Sequence, residues 1–304
     1  MAASGKEYST EKIRNVAVLG HGGSGKSTLV DALCFATGTS RRKGSVDEGH
    51  SLTMTTPEEL SHGISLQTTP AYADVNGTKV NLLDTPGFLD FTGDTMAAVR
   101  VADAAVIVVG ATSGVEVGTE VVWDYCENRG IPRMFFISMM DKEHADFDGV
   151  FQDIKDRLSI NVLPVEVPVG QGEDFRGIIN LFSEKAHLFK PGAMAGEYEE
   201  GDIPDDMTAR FEEMKTDFIE TVATADEELL ERYLEGETIS RDEAVEAMAR
   251  AMARGEIIPV FCGSGSLGFG MKTLLEKMVE LFPHPGEMPG EEGDRKSTRL
   301  NSSH

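Results

Sequence analysis

Residues 20–27 read Gly20, His21, Gly22, Gly23, Ser24, Gly25, Lys26 and Ser27, followed by Thr28. This is the spacing GxxxxGK[ST]. Glycines at 20, 22, 23 and 25 let successive backbone N–H groups converge on one set of phosphate oxygens. Lys26 supplies positive charge for the terminal phosphates, and Ser27 offers a hydroxyl to Mg²⁺, an ion that keeps several waters and needs few protein ligands. That chemistry requires the loop to join a strand to a helix. Asn15–Leu19 before it is a short apolar run, and Ser27–Leu33 after it has helical spacing, which places the loop at the positive end of a helix.

Two carboxylates end other apolar runs. Asp84-Thr85-Pro86-Gly87 follows Val80–Leu83; Asp84 there can hold Mg²⁺ through water, and the Gly87 N–H can sense a γ-phosphate. An ordinary Pro-Gly turn uses the same residues. Asp141 closes Phe135–Met140 and can accept from the N1–H and 2-amino group of guanine, a donor pair that adenine does not present. It can equally cap the next segment. Cys262–Ser266, with Ser264 and Gly265 at its centre, can wrap a base edge with backbone N–H groups. The polar stretch from Arg41 to Gln67 is too long for a quiet connection.

The elements that must position these residues alternate. Strands are expected at Val16–Gly20, Lys79–Asp84, Ala104–Gly110, Arg133–Met139 and Ile257–Gly263, with helices at Lys26–Thr37, Asp94–Ala102, Val117–Arg129, Phe147–Leu158 and Met271–Leu281. The fold class is α/β: a P-loop NTPase whose mostly parallel sheet is covered on both faces. Binding residues then gather at the strand ends. From residue 165 to 254 the alternation stops. Two short strand-like pieces, Glu166–Gly170 and Gly177–Asn180, precede a long acidic helical region, which predicts an inserted α+β subdomain. The expected divisions are 10–164 and 255–285 for the nucleotide domain, 165–254 for the insert, 286–293 for the start of a linker, and 294–304 for a tail that reads like translated adapter sequence. On that reading the chain is an N-terminal fragment.

Composition excludes several classes. A net charge of −24 over 304 residues argues against binding free DNA, because phosphate neutralisation requires clustered Lys and Arg. No apolar run approaches a membrane span, and the N-terminus lacks a signal-peptide core, so a cytoplasmic location is expected. Cys34, Cys126 and Cys262 are far apart in apolar surroundings, as suits reduced core thiols. The acidity between Glu197 and Glu246 reads as a solvated helical surface.

In order, the motifs GHGGSGKS, HGIS (62–65), DTPG, SMMD (138–141) and CGSGS resemble the N-terminal GTPase domain of bacterial elongation factor G, over about residues 10–290. Tyr233-Leu234-Glu235-Gly236 in the insert shares the resemblance. The pattern is similar to the divergent second type of that factor. The resemblance implies a monomer that binds GTP and GDP with Mg²⁺, the metal on Ser27 and Ser65, and acts on the ribosome in translocation or recycling. It implies that Lys26, Asp84 and Gly87 serve hydrolysis, and that the acidic insert meets the ribosomal stalk protein. Phe88 stands where the family has a histidine that positions the attacking water. An apolar ring neither orients nor deprotonates water, so altered hydrolysis is expected, with a non-hydrolysing GTP-binding factor as the alternative. A P-loop kinase or ATPase is a third reading, against which DTPG and Asp141 count. Gly23 replaces an aspartate associated in the family with a monovalent cation, and Gly265 replaces an alanine. Ser138 replaces the asparagine of the base motif, so its bracing hydrogen bonds are expected to be reduced or lost.

Overall fold

The computed structural model describes residues 6–190, 192 and 195–289. In chain order its elements are β1 (Ile13–Leu19), α1 (Lys26–Ala36), α2 (Pro57–His62), β2 (Thr69–Val75), β3 (Thr78–Asp84), α3 (Thr92–Val101), β4 (Ala104–Gly110), α4 (Val117–Arg129), β5 (Arg133–Ser138), α5 (Phe147–Arg157) and β6 (Val162–Pro164). The chain continues through β7 (Glu166–Val169), β8 (Gly177–Asn180), β9 (Lys185–Phe189), β10 (Tyr198–Gly201), α6 (Thr208–Thr224), α7 (Glu227–Leu234) and α8 (Arg241–Ala253). It ends with β11 (Ile258–Cys262) and α9 (Met271–Leu281). Among the described residues seven strands make the main sheet, in the order β2-β3-β1-β4-β5-β11-β6. All pairs are parallel except β2 with β3.

The central strands are apolar where both faces are covered, as at Val16–Leu19, Ala104–Val109 and Met134–Ile137. Val16, Val18, Val106, Val108 and Phe136 pack with Leu29 and Leu33 of α1 and Leu274 and Met278 of α9. Their sequence neighbours Ala17, Leu19, Ile107, Val109 and Phe135 point the other way, into a second cluster with Val99 of α3, Val122 and Trp123 of α4 and Ile154 of α5. Alternate side chains of one strand therefore feed two layers, and the loops that follow β1, β3, β4, β5 and β11 meet at one edge.

Two strands of this sheet were not expected. β2 is an edge strand in which Ala73 is the buried residue and its neighbours are partly exposed, so it lacks an apolar run. Its signal was the dipeptide Asn76-Gly77, with φ of 49° and 86°, the turn that joins β2 to β3 as a hairpin. β6 is only three residues long and pairs with the far side of β11.

The insert leaves the sheet after β6 and returns at β11, which are neighbours: the Ile258 N–H donates to the Asn161 carbonyl (2.9 Å) and the Val165 N–H to the Val260 carbonyl (3.1 Å). Departure and return are thus on adjacent parallel strands, Val165 beside Val260 and Ile258 beside Val162, so the subdomain interrupts the sequence of the sheet while β6 and β11 stay paired. Within it β7 to β10 form an antiparallel sheet of four strands among the described residues. Two of these, β9 and β10, were missed, since Lys185, His187 and the Tyr198-Glu199-Glu200-Gly201 stretch resemble polar linker. Phe211, Phe218, Val222, Met248 and Ala251 of α6 and α8 pack with Val167, Val169 and Ile179 and with α9. On the other face Phe189 stacks on Phe269 at 4.2 Å. The expected tail, 294–304, lies outside the described residues.

Glu166, the first residue of β7, is fully buried. Burial pushes its pKa up to about 8; the Thr273 hydroxyl, the Cys262 N–H and the charge of Lys277 oppose that shift, while Glu276 adds to it. A carboxyl whose folded pKa exceeds its unfolded value binds a proton in the folded state that the unfolded chain has lost. Stability therefore falls as pH rises from about 4.5 to 8, by up to about 1.4 kcal/mol per pH unit. Glu166→Gln removes this contribution: melting followed by circular dichroism should show a smaller loss of stability between pH 5 and pH 8 in the variant than in wild type.

Candidate functional site

The loop after β1 bends at once, because a Cβ on Gly20 (φ 145°) would lie 2.3 Å from the Val108 carbonyl oxygen. Gly25 (φ 90°, ψ 19°) caps α1 in the left-handed region, which glycine adopts without strain. Lys26 then starts the helix with its side chain folded back, donating to the carbonyls of Gly20 (3.0 Å) and His21 (2.7 Å). Burial holds its pKa down to about 8, against the nearby charges of Asp84 and Glu116. A buried ammonium bonded to carbonyls is a cation set for an anionic ligand.

Gly87 closes on this loop from the other side. A Cβ there would lie 2.3 Å from Lys26 Nζ and 2.6 Å from the Gly22 nitrogen, so the end of β3 and the phosphate loop touch through bare backbone. Thr85 fixes that approach by donating its hydroxyl to the Val18 carbonyl (2.7 Å). Phe88 follows, 44% exposed, with its ring edge 3.1 Å from the position a Cβ on Gly22 would take. Gly22, Lys26, Gly87 and Phe88 line a cleft of about 300 Å³ with Gly23, Ser27, Thr28, Ser65 and Met139.

Ser27 and Ser65 come together across the cleft, hydroxyl to hydroxyl at 3.1 Å. Asp84 is 1% exposed beside them. Its Oδ2 accepts from Thr53 at 2.5 Å, and its Oδ1 has no partner among the described residues. Burial pushes its pKa up, with the Thr53 and Ser27 hydroxyls and the Lys26 charge opposing. Two hard hydroxyls and an unsatisfied carboxylate oxygen suit a hydrated Mg²⁺.

Ser138 ends β5 and donates its hydroxyl to the Ser24 carbonyl at 2.7 Å and, more weakly, to that of Val109 at 3.3 Å. One brace to the phosphate loop therefore survives the change from asparagine. Met139 (φ 61°) lays its methyl 3.4 Å from the Cβ position of Gly25. Asp141 lies behind the cleft wall; its Oδ2 accepts from the Ser266 hydroxyl at 3.0 Å, and its Oδ1 is buried with no partner among the described residues. Gly265 and Ser266 line the cleft, while Ser264 is fully buried and its hydroxyl accepts the Leu267 N–H. Ser264 thus shapes the loop and does not face the cleft.

His21 also differs from a direct ligand. Its Nδ1 accepts the Gly118 N–H at 3.2 Å and its Nε2 lies 3.5 Å from Glu116, so the ring ties the phosphate loop to the start of α4 and only its backbone faces the ligand side. Sequence reasoning missed Thr53, Glu59 and Asp31. Glu59 is fully buried and accepts the N–H groups of Thr55, Thr56 and Leu66 at 3.0 Å each, which sets the turn that delivers Ser65. Thr56-Pro57-Glu58-Glu59 carried that signal as a capping box with proline in the first turn.

A sequence profile of the elongation factor Tu GTP-binding domain matches residues 11–284. The chain is 36% identical over 287 residues to elongation factor G of Thermotoga sp. (strain RQ2) and 35% identical over the same length to that of Thermotoga maritima. Each alignment covers 94% of this chain and 41% of the relative. A crystal structure of a Thermus thermophilus protein superposes with a TM-score of 0.85 at 37% identity, over 91% of this chain and 41% of that one. The chain thus spans about two-fifths of the length of the relatives it matches. With the phosphate loop, the Asp84 loop and the base-side loop joined in one cleft, the chain belongs to the elongation factor Tu GTP-binding domain family.

Proposed function

We propose that this chain is the guanine-nucleotide domain of a cytoplasmic, monomeric ribosomal factor of the elongation factor G type, with residues 165–254 as its inserted subdomain. The observation that carries the reading is the convergence of Ser27, Ser65 and the unpartnered oxygen of Asp84 beside the buried Lys26. That constellation fits the terminal phosphates of GTP and the Mg²⁺ that neutralises them. The metal would be held by Ser27 and Ser65 directly and by Asp84 through water; when bound it withdraws charge from the phosphates. Backbone N–H groups from Gly22 to Ser27 would cradle the phosphates, and Lys26 would swing from its carbonyl partners onto them. Asp141, already oriented by Ser266, would read the guanine edge, with Ser264 holding the loop that packs on the base. Gly87 would report the γ-phosphate to α3.

Phe88 decides the rate of chemistry. Its ring lies against Gly22 beside the expected γ-phosphate and offers no proton acceptor, so hydrolysis would rest on the metal, Lys26 and backbone donors. This observation favours slow turnover, and a factor that cycles by nucleotide exchange with little hydrolysis is the second reading. The acidic face of α6 supports a partner: Glu212, Glu213, Asp217 and Glu220 are all exposed, where the ribosomal stalk protein would meet them. Among the described residues no helix is long and apolar enough to cross a membrane.

Asp141→Asn should weaken GTP binding by roughly 1.5–3 kcal/mol, the cost of a charge-assisted hydrogen-bond pair, and should favour xanthosine nucleotides. Calorimetry with both nucleotides checks this, and equal GTP affinity in wild type and variant would remove Asp141 from base recognition. Phe88→His should raise single-turnover GTP hydrolysis on ribosomes by about tenfold or more and leave GTP affinity unchanged; rapid-quench assays read the first and calorimetry the second. Reversing the four α6 charges should slow ribosome association at low salt and flatten its salt dependence, as stopped-flow light scattering would show.

A further inference from the structure

Lys43 belongs to the segment between α1 and α2, and none of the phosphate, metal or base roles described above uses it. Its Nζ donates to the backbone carbonyl of Ser266, on the base side of the cleft. The adjoining Gly44 sits directly over Asp31 of α1, where a Cβ would fall 2.2 Å from the carboxylate carbon. Asp31 Oδ1 accepts the Leu52 N–H at 2.7 Å, and Thr53 holds Asp84 at 2.5 Å. Residues 43–54 are thus stitched to three places around the cleft: Ser266, which lines it, and the buried carboxylates Asp31 of α1 and Asp84 at the end of β3. Val46, Asp47 and Met54 of this span line the cleft itself.

The three stitches are unequal. Asp31 and Asp84 are each 1% exposed, so their bonds form where no water competes. The bond from Lys43 lies at the surface, where water replaces a lost partner at little cost. A ligand lying under the span leaves when the span lifts, and lifting begins at the stitch that costs least to open.

We propose that Lys43 is a latch on the nucleotide: its bond to the Ser266 carbonyl sets how fast guanine nucleotide leaves the cleft. The latch rests on the reading of the cleft as a nucleotide site. It joins the base-side loop to the segment that delivers Ser65 and Thr53, so release of the base and loosening of the metal site are one event. Because the acceptor is a backbone carbonyl, the latch depends on the cation at residue 43 and not on the side chain at 266.

Release of a fluorescent N-methylanthraniloyl GDP, chased with excess unlabelled GDP, tests the latch. Lys43→Met should release about three- to tenfold faster than wild type, the lower part of what a charge-assisted hydrogen bond supplies, since this one is exposed. Its melting temperature should not change. Lys43→Arg, which still presents donors to the carbonyl, should stay near the wild-type rate. Gly44→Ala, which forces the span off Asp31 from a different position, should also release faster. Lys43→Met releasing at the wild-type rate would overturn the latch while leaving the site intact. Failure of the wild type to bind the labelled GDP at all would instead overturn the reading of the cleft, and the latch with it.

Discussion

Everything at the functional edge depends on one close approach, that of Gly87 to Gly22 and Lys26. Two loops from different strands meet there, and the buried Lys26 ammonium sits at the contact, donating to the Gly20 and His21 carbonyls. A desolvated cation in such a place is tolerated because the carbonyls are fixed by β1 and the Gly20 bend, and because Asp84 stands close behind. The arrangement stores electrostatic need: neutralising that charge is favourable for any ligand with phosphate oxygens, and the gain is shared by both loops. The strands exist, in this sense, to hold two glycines and a lysine in register. Parallel pairing of β1 with β3, with Val18 opposite Asp84, does so.

Much of this was legible in the sequence, for identifiable reasons. β1, β4, β5 and β11 are buried on both faces and so appear as unbroken apolar runs, and α4 and α9 lie where their periodicity placed them. The phosphate loop is encoded locally, since its glycines, lysine and serine are contiguous. What escaped was non-local or nearly polar. Edge strand β2 buries too little to show a pattern, β6 is buried but only three residues long, and β9 and β10 hide in charged sequence. Thr53, Asp31 and Glu59 act through contacts with residues distant in sequence or through backbone N–H groups, which no spacing rule reveals. Ser138 was read by type as a weakened brace, yet its short side chain still reaches the Ser24 carbonyl because β5 and the phosphate loop lie so close.

The polar residues divide the work between permanent and adjustable contacts. Glu59 satisfies three N–H groups at once, and burial makes such a node costly to undo. Around the cleft the contacts are single hydroxyls and partly exposed charges. Ser27 to Ser65 and Ser266 to Asp141 are contacts in which partners can change, because hydroxyls donate and accept in turn, whereas Thr53 to Asp84 is buried. Rigidity is thus concentrated one layer behind the cleft.

The position of the insert between two adjacent parallel strands also has a mechanical consequence. β11 runs straight from the insert's return at Ile257 to the base-side loop at Gly263, and its neighbour β6 carries the outgoing chain in the same direction. A load applied to the insert is therefore taken up along the axis of two paired strands, a direction in which their hydrogen bonds are sheared together. Gly265 and Ser266, which line the cleft, follow β11 directly, whereas Gly22–Ser27 follow β1, three strands away in the sheet. The insert is joined through a single strand to one end of the cleft.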